Sequence, residues 1–298
     1  MVAVCQPDRP RGRGRRLEPS PVARLAQGRA IPLLRPERVG DPEVLRELRA
    51  FAPDLGVVVA FGQFLPRQVR ELPRLGYLIN GHASLLPRWR GAAPIARAIL
   101  AGDARTGICV MRVEREMDAG PVALHAELVI GPDEDAGSLS LRLSQLCADA
   151  VARVVDAIAE GRIHWTEQDH AAATFAPKLE AGEARLDWRE PAQALARRVR
   201  AFAPSPGAWT SQGGERLRIL AARAEPGPVS DAPGTLRRTA PSSDVQQRSV
   251  LRIATGAGWL VPTRVQRAGG RPMDLDAFLR GNPLPDGQVL GEPASLSS

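Results

Sequence analysis

The sequence predicts an α/β domain with a mostly parallel sheet, followed by a small β-barrel. Three observations predict it. Up to about residue 163, short apolar runs alternate with stretches of helical spacing, the pattern of strand–helix units. One run, DLGVVVAFG at 54–62, is β-branched and closed by glycine, as in a buried parallel strand. From Leu186 onward the strand candidates become short, and Gly, Pro and Ser separate them, as in a small barrel.

Met1–Cys5 reads as a short apolar strand. It leads into QPDRPRGRGRRLEPSPV, where Arg9, Arg11, Arg13, Arg15 and Arg16 stand among prolines and glycines, a basic loop by composition. Helices are expected at Pro21–Ala26 and Pro42–Ala52; in the second, Val44, Leu45, Leu48 and Phe51 recur at helical spacing. After the 54–62 strand come a short helix at Pro66–Leu72 and a strand at Tyr77–Asn80. The strand runs into GHASLLPRWRGAAPI, which opens a helix at Ala92–Leu100 with Pro94 in its first turn. Strands near Thr106–Val113 and Pro121–Ile130 precede a long amphipathic helix, Ala136–Glu160. The expected domains are 1–163 and 183–298, joined by a polar linker, 164–182. The second holds a helix near Ala192–Ala203 and strands at Trp209–Ser211, Arg216–Ala221, Val250–Ala254 and Gly258–Val261. Asp231–Gln247 reads as a long exposed loop, and the tail after Pro283 as loose.

The 298 residues are 44 % apolar and 24 % charged, ordinary for a soluble globular protein that needs no staples. No apolar run reaches the length of a membrane span and no secretory leader is evident, so a cytoplasmic protein without a membrane partner is expected. The net charge of +7 favours an acidic partner, nucleic acid first. All but one of the 40 basic residues are arginines, Lys178 being the exception; biased composition explains that choice but not the excess of base over acid. Cys5, Cys109 and Cys147 are too widely spaced for a disulfide framework or a CxxC metal site, and read as buried thiols. No HxxxH or HxH pair occurs among the four histidines, so no metal is expected. GxGxxG at a strand–helix junction, GxxxxGK[ST] and GxSxG are all absent, which argues against dinucleotide, P-loop and serine-hydrolase chemistry.

The informative residues are Asn80-Gly81-His82, at the end of a buried strand. Ligands of open α/β sheets bind beyond the strands' carboxyl ends. Residues two apart share one side of a strand, so an amide and an imidazole stand together there. Both can donate hydrogen bonds to an oxygen whose charge grows during acyl transfer. Taken alone, a polar strand end with a satisfied histidine is the commoner explanation. The run Ser84-Leu85-Leu86-Pro87-Arg88-Trp89-Arg90-Gly91-Ala92-Ala93-Pro94-Ile95 and the later Met117-Asp118-Ala119-Gly120 shift that balance.

These three elements, in this order, resemble the signature of the methionyl-tRNA formyltransferases, within the folate-dependent formyltransferase superfamily. VVVAFGQFLP, KLEAGEARLDW and AFAPSPGAW carry the likeness to about Trp209. The resemblance implies a Rossmann-like formyltransferase domain and an OB-like C-terminal barrel that binds tRNA. It implies 10-formyltetrahydrofolate as donor, initiator methionyl-tRNA as acceptor, no metal, and a monomer. Asn80, His82 and Asp118 would be catalytic: Asn80 and His82 holding the oxyanion, Asp118 orienting His82 or taking the amine proton. Phe61, Gln63, Leu65, Ser84, Leu85, Leu86 and Pro87 would border the folate. Arg13, with Arg11 and Arg15, would meet the tRNA acceptor stem; Arg88, Trp89 and Arg90 either face the tRNA or are structural. Gly81 departs from the family's branched apolar residue.

A larger departure lies at the start. The family begins with a strand, a Gly-Thr-Pro loop and a helix, about two dozen residues at typical lengths, ahead of the segment that opens this chain. Lacking a central strand, its neighbours would be unpaired and an apolar face uncovered. The alternatives are a non-catalytic RNA-binding remnant, and a folate formyltransferase acting on another amine.

Overall fold

The computed structural model describes residues 1–11, 16–239 and 250–291. In chain order these form β1 (Ala3–Val4), β2 (Arg9–Arg11), β3 (Arg16–Glu18), α1 (Pro21–Gly28), β4 (Leu33–Leu34), α2 (Pro42–Ala50), β5 (Gly56–Val58), α3 (Arg67–Arg70) and β6 (Leu78–His82). There follow β7 (Arg90–Gly91), α4 (Pro94–Ala101), β8 (Arg105–Arg112), β9 (Val122–Val129), α5 (Ala136–Ala159), β10 (Phe175–Ala176) and α6 (Ala192–Phe202). The last are β11 (Ala208–Gln212), β12 (Glu215–Glu225), β13 (Leu236–Thr239), β14 (Val250–Ala254), β15 (Trp259–Arg267), β16 (Met273–Asp274) and α7 (Leu275–Gly281). The chain divides into two compact units. One holds 1–90, 107–127 and 146–174; the other holds 91–106, 128–145 and 175–298.

In the first unit the helices start where local chemistry dictates. Ser20 caps α1, its hydroxyl accepting from the Ala23 N–H at 3.1 Å, with Pro21 at the first helical position. Pro42 does the same for α2, whose Leu45 and Leu48 turn inward. They join Val39, Val69 and Leu78 in a core flanked by Val2, Val4, Val58, Phe61 and Leu65. The sheet runs β5-β6-β8-β9, and it is mixed rather than mostly parallel. β5 is parallel to β6, with Val58 opposite Asn80, but β6 and β8 are antiparallel, with His82 opposite Cys109. A separate parallel pair joins β1 and β4.

The 54–62 strand is not buried: β5 covers three residues, and Val57 and Val59 are 48 % and 52 % exposed. Among the described residues β5 pairs only with β6 and β1 only with β4, so each keeps one open edge. The basic segment is not all loop. β2 and β3 form an antiparallel ribbon with Arg9 opposite Glu18 and Arg11 opposite Arg16. Arg13 and Arg15 lie outside the described residues.

In the second unit α6 presents Leu195, Val199 and Phe202, spaced by helical periodicity, to β12, and packs with α4 on its other side. The antiparallel sheet runs β11-β12-β15-β14-β13, with β16 on β15. Pro262 stands inside β15 opposite Ala222, next to a register shift; a residue without an N–H is tolerated at such a bulge. The 231–247 stretch contains β13, paired with β14 through Leu236 and Ile253. The tail is not loose as far as Gly291. The Leu290 N–H donates to Gly234 O at 3.0 Å and the Gly291 N–H to Ser211 O at 2.9 Å, so this segment links the two outer strands and closes the barrel. Leu284 and Leu290 fill its core beside Leu236, Ile253, Leu260 and Phe278. Composition favoured a loop at both places because arginine, proline and glycine surround one or two inward leucines.

Candidate active site

β6 carries the two candidate donors to its carboxyl end. Gly81, between them, faces α5. A Cβ there would lie 2.5 Å from Cys147 Sγ and 3.3 Å from a Val151 methyl, so glycine lets the helix approach. Asn80 and His82 therefore share the opposite side. Among the described residues the Asn80 side chain makes no hydrogen bond to protein, leaving its amide available to a ligand.

His82 is buried, and both ring nitrogens face protein groups. Nε2 donates to Trp89 O at 2.9 Å. A carbonyl only accepts, so this nitrogen carries a proton. Nδ1 lies 3.5 Å from Asp118 Oδ2, an ion-pair distance that is attractive only when the ring is imidazolium. Asp118 sits at φ 53°, left-handed for a residue with a side chain. Two residues on, a Cβ at Gly120 would lie 2.2 Å from Arg112 O, which is why the aspartate loop ends in glycine.

The loop after β6 is held by polar bonds rather than by a ladder. Ser84 Oγ donates to Arg88 O at 2.6 Å. The Leu86 N–H donates to Cys109 Sγ at 3.2 Å, and His125 Nε2 to Leu86 O at 3.2 Å. Burial pushes the Cys109 thiol up to about 12, partly offset by the Leu86 bond, so it stays a neutral acceptor. Trp89, at φ 63°, donates its N–H to Thr174 Oγ1 at 3.0 Å, and the Arg90 N–H donates to Thr174 O at 2.9 Å.

The structure brings Asn80, His82, Asp118 and the 84–87 loop together. It employs Gln63 elsewhere: its Oε1 accepts from the Val39 N–H at 2.8 Å and its Nε2 donates to Pro36 O at 3.0 Å. Phe61 and Leu65 pack against the core of the first unit, and Gln6 Nε2 occupies Phe61 O at 2.8 Å. Of the open trio, Arg90 is buried and structural, while the Arg88 guanidinium lies 4.4 Å over the Trp89 ring.

Sequence reasoning missed Gln168 and Thr174, which stood in the expected linker. Gln168 Nε2 donates to Asp118 O at 2.8 Å and Gly120 O at 2.7 Å, and its Oε1 accepts from Arg90. No local signal marks them, because their partners are some 50 to 80 residues away.

Comparison with known proteins places the chain in a family. Residues 1–155 match the model of the formyl transferase family, and residues 178–283 that of the formyl transferase C-terminal domain. The methionyl-tRNA formyltransferase of Stutzerimonas stutzeri is 45 % identical over 300 residues, covering 98 % of this chain and 91 % of that protein. That of Halorhodospira halophila is 45 % identical, covering 98 % and 90 %. HypX from Aquifex aeolicus, solved with tetrahydrofolic acid, shares the fold at TM-score 0.60 and 19 % identity; the match covers 89 % of this chain but only 47 % of HypX. The sugar 3N-formyl transferase WlaRD shares it at TM-score 0.58 and 12 % identity, covering 83 % and 81 %. The chain belongs to the formyl transferase family and, within it, groups with the methionyl-tRNA formyltransferases.

Proposed function

We propose that this protein transfers the formyl group of 10-formyltetrahydrofolate to the α-amine of initiator methionyl-tRNA. The observation that carries the reading is the strand end itself: a free Asn80 amide beside a His82 imidazole that faces Asp118 at 3.5 Å. In the reaction the amine nitrogen bonds to the formyl carbon, the carbon's bond to the folate nitrogen breaks, the amine loses a proton and the folate nitrogen gains one. Asn80 donates to the oxygen as it becomes negative. His82 acts through charge, since its ring nitrogens already face Trp89 O and Asp118. Asp118 holds the ring and takes the amine proton, directly or through water.

Ser84, Leu85, Leu86 and Pro87 border the folate, with Phe61 and Leu65 behind; Gln63 serves the fold. Residues 1–163 carry the chemistry and 183–298 bind tRNA, joined through 164–182. Arg13, flanked by glycines, contacts the acceptor stem with Arg11 and Arg15. No metal takes part. The protein works as a cytoplasmic monomer.

The test is formylation of methionyl-tRNA by the whole chain with labelled 10-formyltetrahydrofolate. Labelled formylmethionyl-tRNA is expected, and Arg13→Ala raises KM for tRNA more than for folate. Transfer to a sugar amine but not to tRNA overturns the acceptor. A second reading, RNA binding without catalysis, is favoured by the open β1 and β5 edges and the exposed Val57 and Val59. Tight tRNA binding with no formyl transfer decides for it.

A further inference from the structure

The His82 ring is gripped from two sides, by the loop that ends at Trp89 and by the Asp118 loop. Trp89 supplies the carbonyl at Nε2, and the Asp118 loop supplies the carboxylate at Nδ1. One buried pair of side chains ties those loops together. Arg90, 5 % exposed, follows Trp89 directly. Its Nε and Nη2 donate to Gln168 Oε1 at 3.1 and 2.7 Å, and its Nη1 and Nη2 face His170 Nδ1 at 3.4 and 3.3 Å. Gln168 then donates through Nε2 to Asp118 O and Gly120 O.

The chemistry leaves Gln168 one orientation. A guanidinium has donors only, so the amide oxygen must face Arg90 and the NH2 must face the two carbonyls. All four hydrogen-bonding positions of the amide are thereby filled. The carbonyl it holds belongs to Asp118, whose left-handed backbone needs outside support to persist.

We infer that Gln168, oriented by Arg90, is a positioning residue that sets the Asp118 carboxylate against His82. This rests on the roles proposed above for Asp118 and His82. Gln168→Glu is the sharpest probe: it keeps an acceptor for Arg90, now as an ion pair, but removes both N–H donors and turns oxygen toward the carbonyls. A purely structural Gln168 would show its loss in stability alone, because two buried carbonyls lose their donors, and kcat per folded molecule would stay at the parent value. A positioning Gln168 would lose kcat about 10–100-fold, the scale of a small misplacement, with KM for tRNA and for folate within about twofold.

The experiment measures kcat, both KM values and the unfolding midpoint for Gln168→Glu, Asp118→Asn and the double variant. The expected result is a loss of kcat per folded molecule in each single variant and little further loss in the double, alongside a lowered midpoint for Gln168→Glu. Unchanged kcat in Gln168→Glu, or full additivity with Asp118→Asn, overturns the positioning role while leaving Asp118 catalytic. Unchanged kcat in Asp118→Asn overturns the catalytic reading itself. The 15N shifts of the His82 ring need no turnover: Gln168→Glu should move Nδ1 far more than Nε2, and an unmoved Nδ1 overturns the inference. Should Gln168→Glu not fold, Arg90→Lys serves instead. It keeps the charge but not the two-pronged hold, and should move Nδ1 in the same direction.

Discussion

The loops around the end of β6 and the barrel of the second unit are stabilised by different physics. The loops hold Trp89 and Asp118 at φ 63° and 53°, and their bonds run mostly from side chains to backbone. The barrel is a continuous ladder around Leu236, Ile253, Leu260 and Phe278, closed by Gly291 on Ser211. Directional bonds fix where a few atoms point; burial of apolar surface fixes whether the chain folds. Substitutions in the first region should therefore act on rate, and those in the second on stability.

Phe278→Ala gives the largest effect. Phe278 is 1 % exposed, and removing a buried phenylalanine costs about 3–5 kcal/mol. Denaturant unfolding should show that loss, while kcat per folded molecule stays at the parent value; a fall in kcat without a fall in stability would break the comparison. His82→Ala comes next, with turnover down about 10²–10³-fold, the usual cost of losing one oxyanion-stabilising group. Single-turnover formylation checks it, and the unfolding midpoint should fall far less than in Phe278→Ala. A rate close to the parent's removes His82 from the chemistry.

Gly81→Ala sharpens the contrast, because it attacks the site strand through packing. Its Cβ would sit 2.5 Å from Cys147 Sγ, and overpacking costs about 1–3 kcal/mol. Adding Cys147→Ala should restore most of the stability; a double variant no better than Gly81→Ala shows that the strain lies elsewhere. The smallest effect belongs to the surface pair Arg97–Glu183 in the second unit. The hydrogen bond from Arg97, joined by the Glu180 backbone, holds the Glu183 carboxyl below its usual 4.5. A lowered folded value means that the pair stabilises above 4.5 and that this is lost as pH falls through the folded value. Glu183 is partly exposed, so Glu183→Gln should cost only about 0–1 kcal/mol at neutral pH. Thermal unfolding of both proteins should converge in acid, and a gap that widens there contradicts the assigned sign.

The sequence alone determined every element whose signal is local. α5 begins at Ala136 as its apolar spacing indicates, and α2 begins at Pro42 because proline suits a first helical turn. Asn80, His82 and Asp118 were legible from motif order, and the structure gathers them at one strand end. Tertiary structure alone decided the direction of β8 against β6, which no spacing within either strand encodes. It also decided that Gln63 would serve the Val39 backbone rather than a ligand, and that a tail of prolines and glycines would close the barrel through Leu290 and Gly291. Gln168 is the clearest case. An isolated glutamine in a polar stretch carries no periodicity, and its role exists only because folding brings Arg90, Asp118 and Gly120 within 3.1 Å of one amide. Local spacing encodes which residues point inward; the pairing of donors with distant acceptors is set when the loops meet.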